Sequence, residues 1–434
     1  MPAPTTFMYG GRVPIAIPPH QTGAEEVSQP KIHYLTPTAG STTGAWTSQG
    51  LFLDFEIPKS VGIVRSTSLR FDLNNSTPAE VVPGPNIPTV PWLIQQCEVY
   101  IGQNQVEVLY PADIFNETVG FKASDDLVNA GNNTALINTR AGFQSGVDPN
   151  IYNALSPNVL NRFPVPPGNT SFYLDFNNCL TTSRLYVAGC SEPIKYRVYL
   201  SPGLFSANAS WQVVLNALTL VIEEESTSYS DKMAFERAHQ SGIIYNTVVR
   251  QRQNQTLTKN GSADLTVNLT GLSGSTVGLM VYVTPVVSGP GGTQLDPRAN
   301  PAGPPAGLIE NNQLLANRVA VRSLELDDVM GSKITEELYD SQLRSDTWYS
   351  QVRTYFATAL PTYLLSFSSS FRDAVVNGGN FGRRVIKGDE KLVIRAPLAW
   401  GWASGNQTWN ITITNYAPQS FIFRGNKLAS VIKA

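Results

Sequence analysis

The chain has 434 residues, 42% of them hydrophobic and 15% charged, with 31 Lys and Arg against 33 Asp and Glu and a formal net charge of −2. This length can hold two ordinary domains, each with its own core. The near-neutral balance argues against direct sequence-specific nucleic-acid binding, because gripping phosphates needs concentrated Lys and Arg. Three cysteines, Cys97, Cys179 and Cys190, form no C-x-x-C pair and leave an odd one out; they read as buried thiols, not as a disulfide framework or zinc ribbon.

Residues 1–30 mix Pro, Gly and Thr without period and read as an extended N-terminal arm. They lack the basic start and apolar core of a secretory signal, and no stretch reaches the length of a bilayer-spanning helix, so the expectation is a protein made and kept in the cytosol or nucleus, without secretion. Beyond the arm, period-2 alternation dominates: Leu51–Ile57, Ser68–Leu73, Trp92–Ile101, Phe172–Phe176, Ile194–Leu200 and Val213–Ile222 read as strands, with a Pro-rich loop at Thr77–Pro91 and a short helix around Ala112–Phe121. Ser228 followed by Asp231 forms a capping-box pattern and Gly242 a stop, which predicts a helix over 229–240 near the midpoint of the chain. The second half returns to strands at Ile243–Val249, Leu265–Leu269, Val277–Val283, Val319–Leu326, Tyr363–Phe367, Lys391–Arg395 and Trp409–Thr414. It also has a Pro/Gly loop over 284–307 and a helical stretch at Tyr339–Phe356, and the final residues alternate again.

The halves repeat one another. Gly102 is followed at +7 and +8 by Leu109 and Tyr110, and Gly331 by Leu338 and Tyr339, an offset of 229 residues. In both places a Pro/Gly loop and an alternating strand precede the glycine and a helical stretch follows the tyrosine, which predicts one fold used twice. The expected division is an arm at 1–30, a first all-β unit at 31–228, a linker helix at 229–242 and a second all-β unit at 243–434.

No constellation carries chemistry. His20, His33 and His239 stand far apart with no H-E-x-x-H pattern, and each reads as a satisfied or exposed histidine. Glu223, Glu224 and Glu225 point to alternate faces of a strand and read as a solvated strand end, not a calcium site. Asp54 and Glu56, the carboxylate pair an enzyme reading would choose, fit the wet face of an alternating strand. The Gly-rich 377–384 (NGGNFGRR) reads as a polar turn, and the N-x-[ST] patterns around Asn133 and at Asn169, Asn208 and Asn410 as coincidence in an Asn- and Thr-rich chain. The expectation is a protein that is not an enzyme, with no catalytic, cofactor-binding or metal residues.

The segment 92–115 (WLIQQCEVYIGQNQVEVLYPADIF), a strand, glycine turn and helix entry, and the junction 219–248 (TLVIEEESTSYSDKMAFERAHQSGIIYNTV) resemble the double jelly-roll major capsid proteins of the PRD1/adenovirus-like lineage. That lineage includes polinton-like viruses, virophages and algal large DNA viruses. The resemblance covers roughly residues 45–425; it departs from the algal members around Phe172–Leu200, which favours a polinton-like or virophage-like relative. It implies an all-β chain of two consecutive eight-stranded jelly rolls and a homotrimeric, pseudo-hexagonal capsomer of an icosahedral double-stranded DNA virus, located in the virion. It further implies that the loops at 77–91 and 284–307 form outward towers, and that neighbouring capsomers, minor capsid and penton proteins, and an internal membrane met by the arm, are the partners. The rival reading is a β-sandwich carbohydrate-binding or adhesin-like module.

Overall fold

The computed structural model describes residues 6–9, 13–16, 31–40, 52–75, 86–88, 94–111, 113–114, 117, 162–164, 168–200, 213–260, 264–272, 274–286, 321–339, 342–343, 362–378, 384–395 and 406–433. The loops at 77–91 and 284–307, expected to be towers, lie outside the described residues apart from 86–88 and 284–286, as do His20, Asn133, Asn208, most of 377–384 and most of the helical stretch at 339–356.

Two short strands, β1 (Thr6–Tyr9) and β2 (Val13–Ala16), pair as a hairpin inside the segment read as an arm. The first half then supplies β3 (Lys31–Leu35), β4 (Phe52–Ile57), β5 (Val64–Asn75), β6 (Asn86–Pro88), β7 (Ile94–Ile101), β8 (Asn104–Leu109), β9 (Arg162–Pro164), β10 (Gly168–Asp175), β11 (Ile194–Leu200) and β12 (Val213–Glu224). A short helix, α1 (Cys179–Ser183), sits between β10 and β11, and Pro111, Asp113, Ile114 and Glu117 are helical. Two four-stranded antiparallel sheets result, in the orders β10-β5-β12-β3 and β4-β11-β7-β8. Neighbouring strands so distant in sequence define a jelly roll. Inward positions alternate along each strand: Leu69 and Phe71 on β5 and Leu218, Leu220 and Ile222 on β12 face Leu53 and Phe55 on β4 and Val99 on β7, all fully or nearly fully buried.

After the helix α2 (Tyr229–Ser241) the second half supplies β13 (Ile243–Asn260), β14 (Leu265–Asn268), β15 (Gly274–Thr276), β16 (Gly278–Val286), β17 (Ser323–Asp327), β18 (Leu338–Tyr339), β19 (Thr362–Ser366), the helix α3 (Phe371–Asn377), β20 (Arg384–Ile386), β21 (Lys391–Arg395), β22 (Asn406–Arg424) and β23 (Lys427–Lys433). Its sheets run β13-β22-β16-β19, with β23 added on β22, and β14-β21-β17-β18. Strand for strand this is the first half again: β19, β16, β22 and β13 stand where β10, β5, β12 and β3 stand, and β14, β21, β17 and β18 where β4, β11, β7 and β8 stand. The 229-residue offset is structural: Gly102 (φ 63°) and Gly331 (φ 81°) both occupy the left-handed region at the turn after β7 and β17, and the core residues Ile114 and Leu343 are also 229 apart.

Two strands are far longer than read. β13 and β22 pair over 18 residues, a ribbon ~60 Å long. At one end Trp409, Ile411 and Ile413 face the second core; at the other Ile243, Tyr245, Val249, Ala417, Phe421 and Phe423 belong to the first core. The polar run after Val249 (RQRQNQTLTKN) hides this length from a hydrophobicity reading. The segment Phe172–Leu200, where the family resemblance was weakest, contributes β10, α1 and the central strand β11.

Candidate functional site: the buried junction between the two rolls

A buried polar assembly lies where the first roll meets the outer face of the second roll's β13-β22-β16-β19 sheet. Since Ile411 and Ile413 point inward on β22, Thr414 and Tyr416 point outward, and Arg250 lies opposite Tyr416 in the ladder. The Arg250 side chain is fully buried. Its Nε and Nη2 donate to the two carboxylate oxygens of Glu117, both at 2.7 Å, and its Nη1 donates to Glu107 on β8 at 2.8 Å. The backbone N–H of Cys179 donates to the other Glu107 oxygen at 2.6 Å, and the Tyr416 hydroxyl donates to Glu117 at 3.0 Å. Nearby, the Thr414 hydroxyl donates to Asp113 at 2.6 Å, while the second oxygen of Asp113 meets no partner among the described residues. The Arg252 guanidinium lies 4.6 Å over the ring of Tyr110.

The electrostatics follow from burial. Loss of water pushes the carboxyls of Asp113 and Glu117 above the usual carboxylate range, against the pull of the nearby arginines. Burial lowers the affinity of Arg250 for its proton, but Glu117 and Glu107 more than offset this and hold the guanidinium firmly charged. Burial and Glu107 keep the Cys179 thiol protonated. Such a cluster gives a buried cation a fixed bidentate seat and orients one roll on the other.

A second contact zone surrounds α2. Its N-cap is formed as the sequence predicts: the Ser228 hydroxyl accepts from Asp231 N–H at 3.1 Å and the Asp231 carboxylate from Ser228 N–H at 3.4 Å. The helix delivers His239, fully buried, against Tyr186 of the first roll and Tyr245 and Phe423 of the second. Its Nε2 lies 2.8 Å from the Tyr245 hydroxyl. Gly189 is needed here, because a Cβ on it would stand 2.7 Å from the imidazole. Burial lowers the His239 pKa to about 4. Further bonds cross the junction from Thr182 to Val375 O (3.2 Å), Thr247 to Cys179 O (3.2 Å) and Leu428 N to Glu192 (2.9 Å).

The residues weighed for chemistry stand apart from this junction or serve structure. Asp54 is not on a wet face: it is buried and takes a bidentate bond from Arg197 on β11 at 2.7 and 2.9 Å, while Glu56 is exposed. The run Glu223–Glu225 does diverge to separate partners, but it is not a solvated end: Glu224 is buried and bonds His33 at 2.8 Å, whereas Glu223 meets Arg65 and Ser66 and Glu225 meets Arg184. The three cysteines are buried free thiols. Among the described residues no group of three or more His, Cys, Asp or Glu is placed to hold a metal, and no helix is long and apolar enough to cross a membrane. Sequence reasoning missed Arg250, Glu107 and Glu117, whose only signal was charge within strand-like or helix-entry segments.

No protein-family model matches the chain, and no curated protein matches its sequence. Solved structures do. VP54 of the virus PBCV-1, fitted into a reconstruction of the virophage Sputnik, superposes with a TM-score of 0.59 at 13% identity over 96% of this chain and 99% of that one. A quasi-atomic structure of the PBCV-1 capsid gives 0.59 at 14% identity over 95% and 99%, and the Faustovirus major capsid protein 0.56 at 10% identity over 94% and 92%. Matched almost end to end and with its two sheets repeated in the same strand order, the chain has the double jelly-roll fold of these coat proteins.

Proposed function

We propose that the chain is a major capsid protein: the repeated structural subunit of an icosahedral double-stranded DNA virus, working as a homotrimer in the virion and not as an enzyme. The observation that carries this reading is the pairing of two jelly rolls of identical strand order through a buried, charge-locked junction. Three such chains present six similar rolls, so one polypeptide can close under three-fold symmetry and still fill a hexagonal lattice position. In this reading residues 31–228 and 243–434 are the two rolls, 229–242 the linker and 1–30 an arm beneath the shell. The arm is where neighbouring capsomers, minor or penton proteins, or an internal membrane would be met.

Light scattering on the purified chain, with negative-stain images, tests this. The expected result is a particle of three times 47.2 kDa with a hexagonal outline. A clean monomer overturns the reading and turns attention to sugar binding by a β-sandwich module, tested on a glycan array. Deleting residues 2–28 should leave the trimer intact and prevent closed shells; loss of the trimer refutes the role given to the arm.

A further inference from the structure

Among the described residues, each side of the junction within one chain has an uncovered counterpart on the other roll. The hydrogen-bond ladders align the two rolls residue by residue. At the end of β10, Phe176 N–H donates to Thr67 O at 3.2 Å; at the end of β19, Phe367 N–H donates to Val277 O at 2.9 Å. Thr67 thus corresponds to Val277, and Ser68 to Gly278. Across the sheets, Ser68 lies opposite Val221 and Val221 opposite Tyr34, while Gly278 lies opposite Tyr416 and Tyr416 opposite Arg250. Tyr34 is therefore the positional equivalent of Arg250, Val221 of Tyr416, and Thr36 of Arg252.

The equivalents differ in side chain and, above all, in cover. Arg250 and Tyr416 are buried under the first roll, whereas Tyr34 is 58% exposed and its same-face neighbour Ile32 57% exposed. The other side of the junction behaves alike. Glu107 and Tyr110, which meet Arg250 and Arg252, have Glu336 and Tyr339 as their equivalents at +229. Glu107 is buried, but Glu336 is exposed and Tyr339 49% exposed. The first roll thus carries an open acceptor face on an edge strand, where exposed apolar residues are a liability unless covered. The second roll carries an open donor edge.

We infer that these two open surfaces are one interface: the donor edge of the second roll, around Glu336 and Tyr339, seats on the acceptor face of the first roll of a second copy, around Ile32, Tyr34 and Val221. The contact repeats the intra-chain junction head to tail, and such a heterologous contact closes into a ring when the rotation allows. It rests on the capsomer reading and specifies which surfaces build it. Its chemistry differs from the intra-chain junction, since an aromatic ring stands where the buried guanidinium would be.

The test compares Tyr34→Glu, Tyr339→Glu and a control, Val385→Glu, whose residue is 60% exposed on β20, a strand that contributes to neither surface. Mass is read by light scattering and folding by circular dichroism. The inference expects the first two to fall from the trimer mass to 47.2 kDa while staying folded, and the control to remain trimeric. In parallel, the double variant Thr36→Cys with Tyr339→Cys, treated with a short bismaleimide, should give covalently linked chains that neither single variant gives. If the wild type is a trimer but Tyr34→Glu leaves it intact, or the double cysteine variant gives no linked chains, this assignment is overturned and the capsomer reading stands. A wild-type chain that is monomeric at every concentration overturns both.

Discussion

Arg250 and Tyr34 hold the same place in two sheets of the same strand order, yet one is sealed with two carboxylates and the other stands more than half in solvent. The inward positions of the two rolls have stayed alike in kind, Leu69 matching Leu279 and Leu218 matching Ile413, all essentially buried. The outer faces have diverged. A contact made once, while a chain folds, can use a buried arginine with two glutamates, because no water-exposed intermediate has to survive. A surface that must stay soluble until another chain arrives is better served by a tyrosine and half-exposed aliphatics, which are cheaper to leave wet than an unpaired charge is to bury. The chain uses one fold twice, and the difference in cover marks which face is closed within the chain.

The largest effect should come from breaking the closed side. Arg250→Met removes the only described cation bonded to Glu107 and Glu117 and leaves two carboxylates in a site closed to bulk solvent, a change of the kind that costs about 3–5 kcal/mol. Denaturant unfolding should show that loss. Adding Glu107→Gln and Glu117→Gln to Arg250→Met should restore a substantial part of it, because neutral amides do not need the cation. An Arg250→Met protein as stable as wild type would show that the junction is not held by charge.

Next comes acid, acting at His239. Its folded pKa of about 4 lies below the ordinary value near 6.5, so the neutral ring is the form the fold accepts. The stability it contributes is present above pH 6.5 and is lost as pH falls toward 4, reaching about 3 kcal/mol if the whole shift is realised. Asp113 and Glu117 oppose this sign: with pKa values raised by burial, their contribution is greatest in acid and declines as pH rises through their folded values. Between pH 7 and 4 the wild type should therefore lose melting temperature relative to His239→Gln, which keeps Asp113 and Glu117 but not the imidazole. Equal slopes would remove His239 as the cause.

Much of this fold was legible in the sequence because a half-buried strand leaves an alternating pattern and a helix cap leaves a motif. Leu51–Ile57, Ile194–Leu200 and Lys391–Arg395 fell within a residue of their observed bounds, and the Ser228–Asp231 box formed as read. The extensions of β13 and β22 were not legible, since Arg250 to Asn260 shows few apolar residues, and its outward face is covered by polar contacts instead. Nor was the junction: Glu107 and Glu117 owe their burial to Arg250, 143 and 133 residues away, and only the folded chain brings them together. Asp54 was misplaced for the same reason, its partner Arg197 lying 143 residues on. The small helices α1 and α3 escaped because five and seven residues carry too little periodicity to show.

The smallest effect tests the piece that belongs to neither face. The capping box at Ser228 satisfies backbone donors at the start of α2, the helix that carries His239 into the junction and joins the rolls. Ser228→Ala removes the acceptor for Asp231 N–H, while the carboxylate of Asp231 can still take the Ser228-position N–H, so half the box survives. The expected cost is about 1 kcal/mol, read as a small fall in the unfolding midpoint with an unchanged slope. Because the exposed acceptor face around Tyr34 and the donor edge around Tyr339 are untouched, the oligomer mass should not move. A Ser228→Ala protein that unfolds only slightly earlier but no longer assembles would mean that the angle set by α2, and not the two open surfaces alone, governs how one copy meets the next.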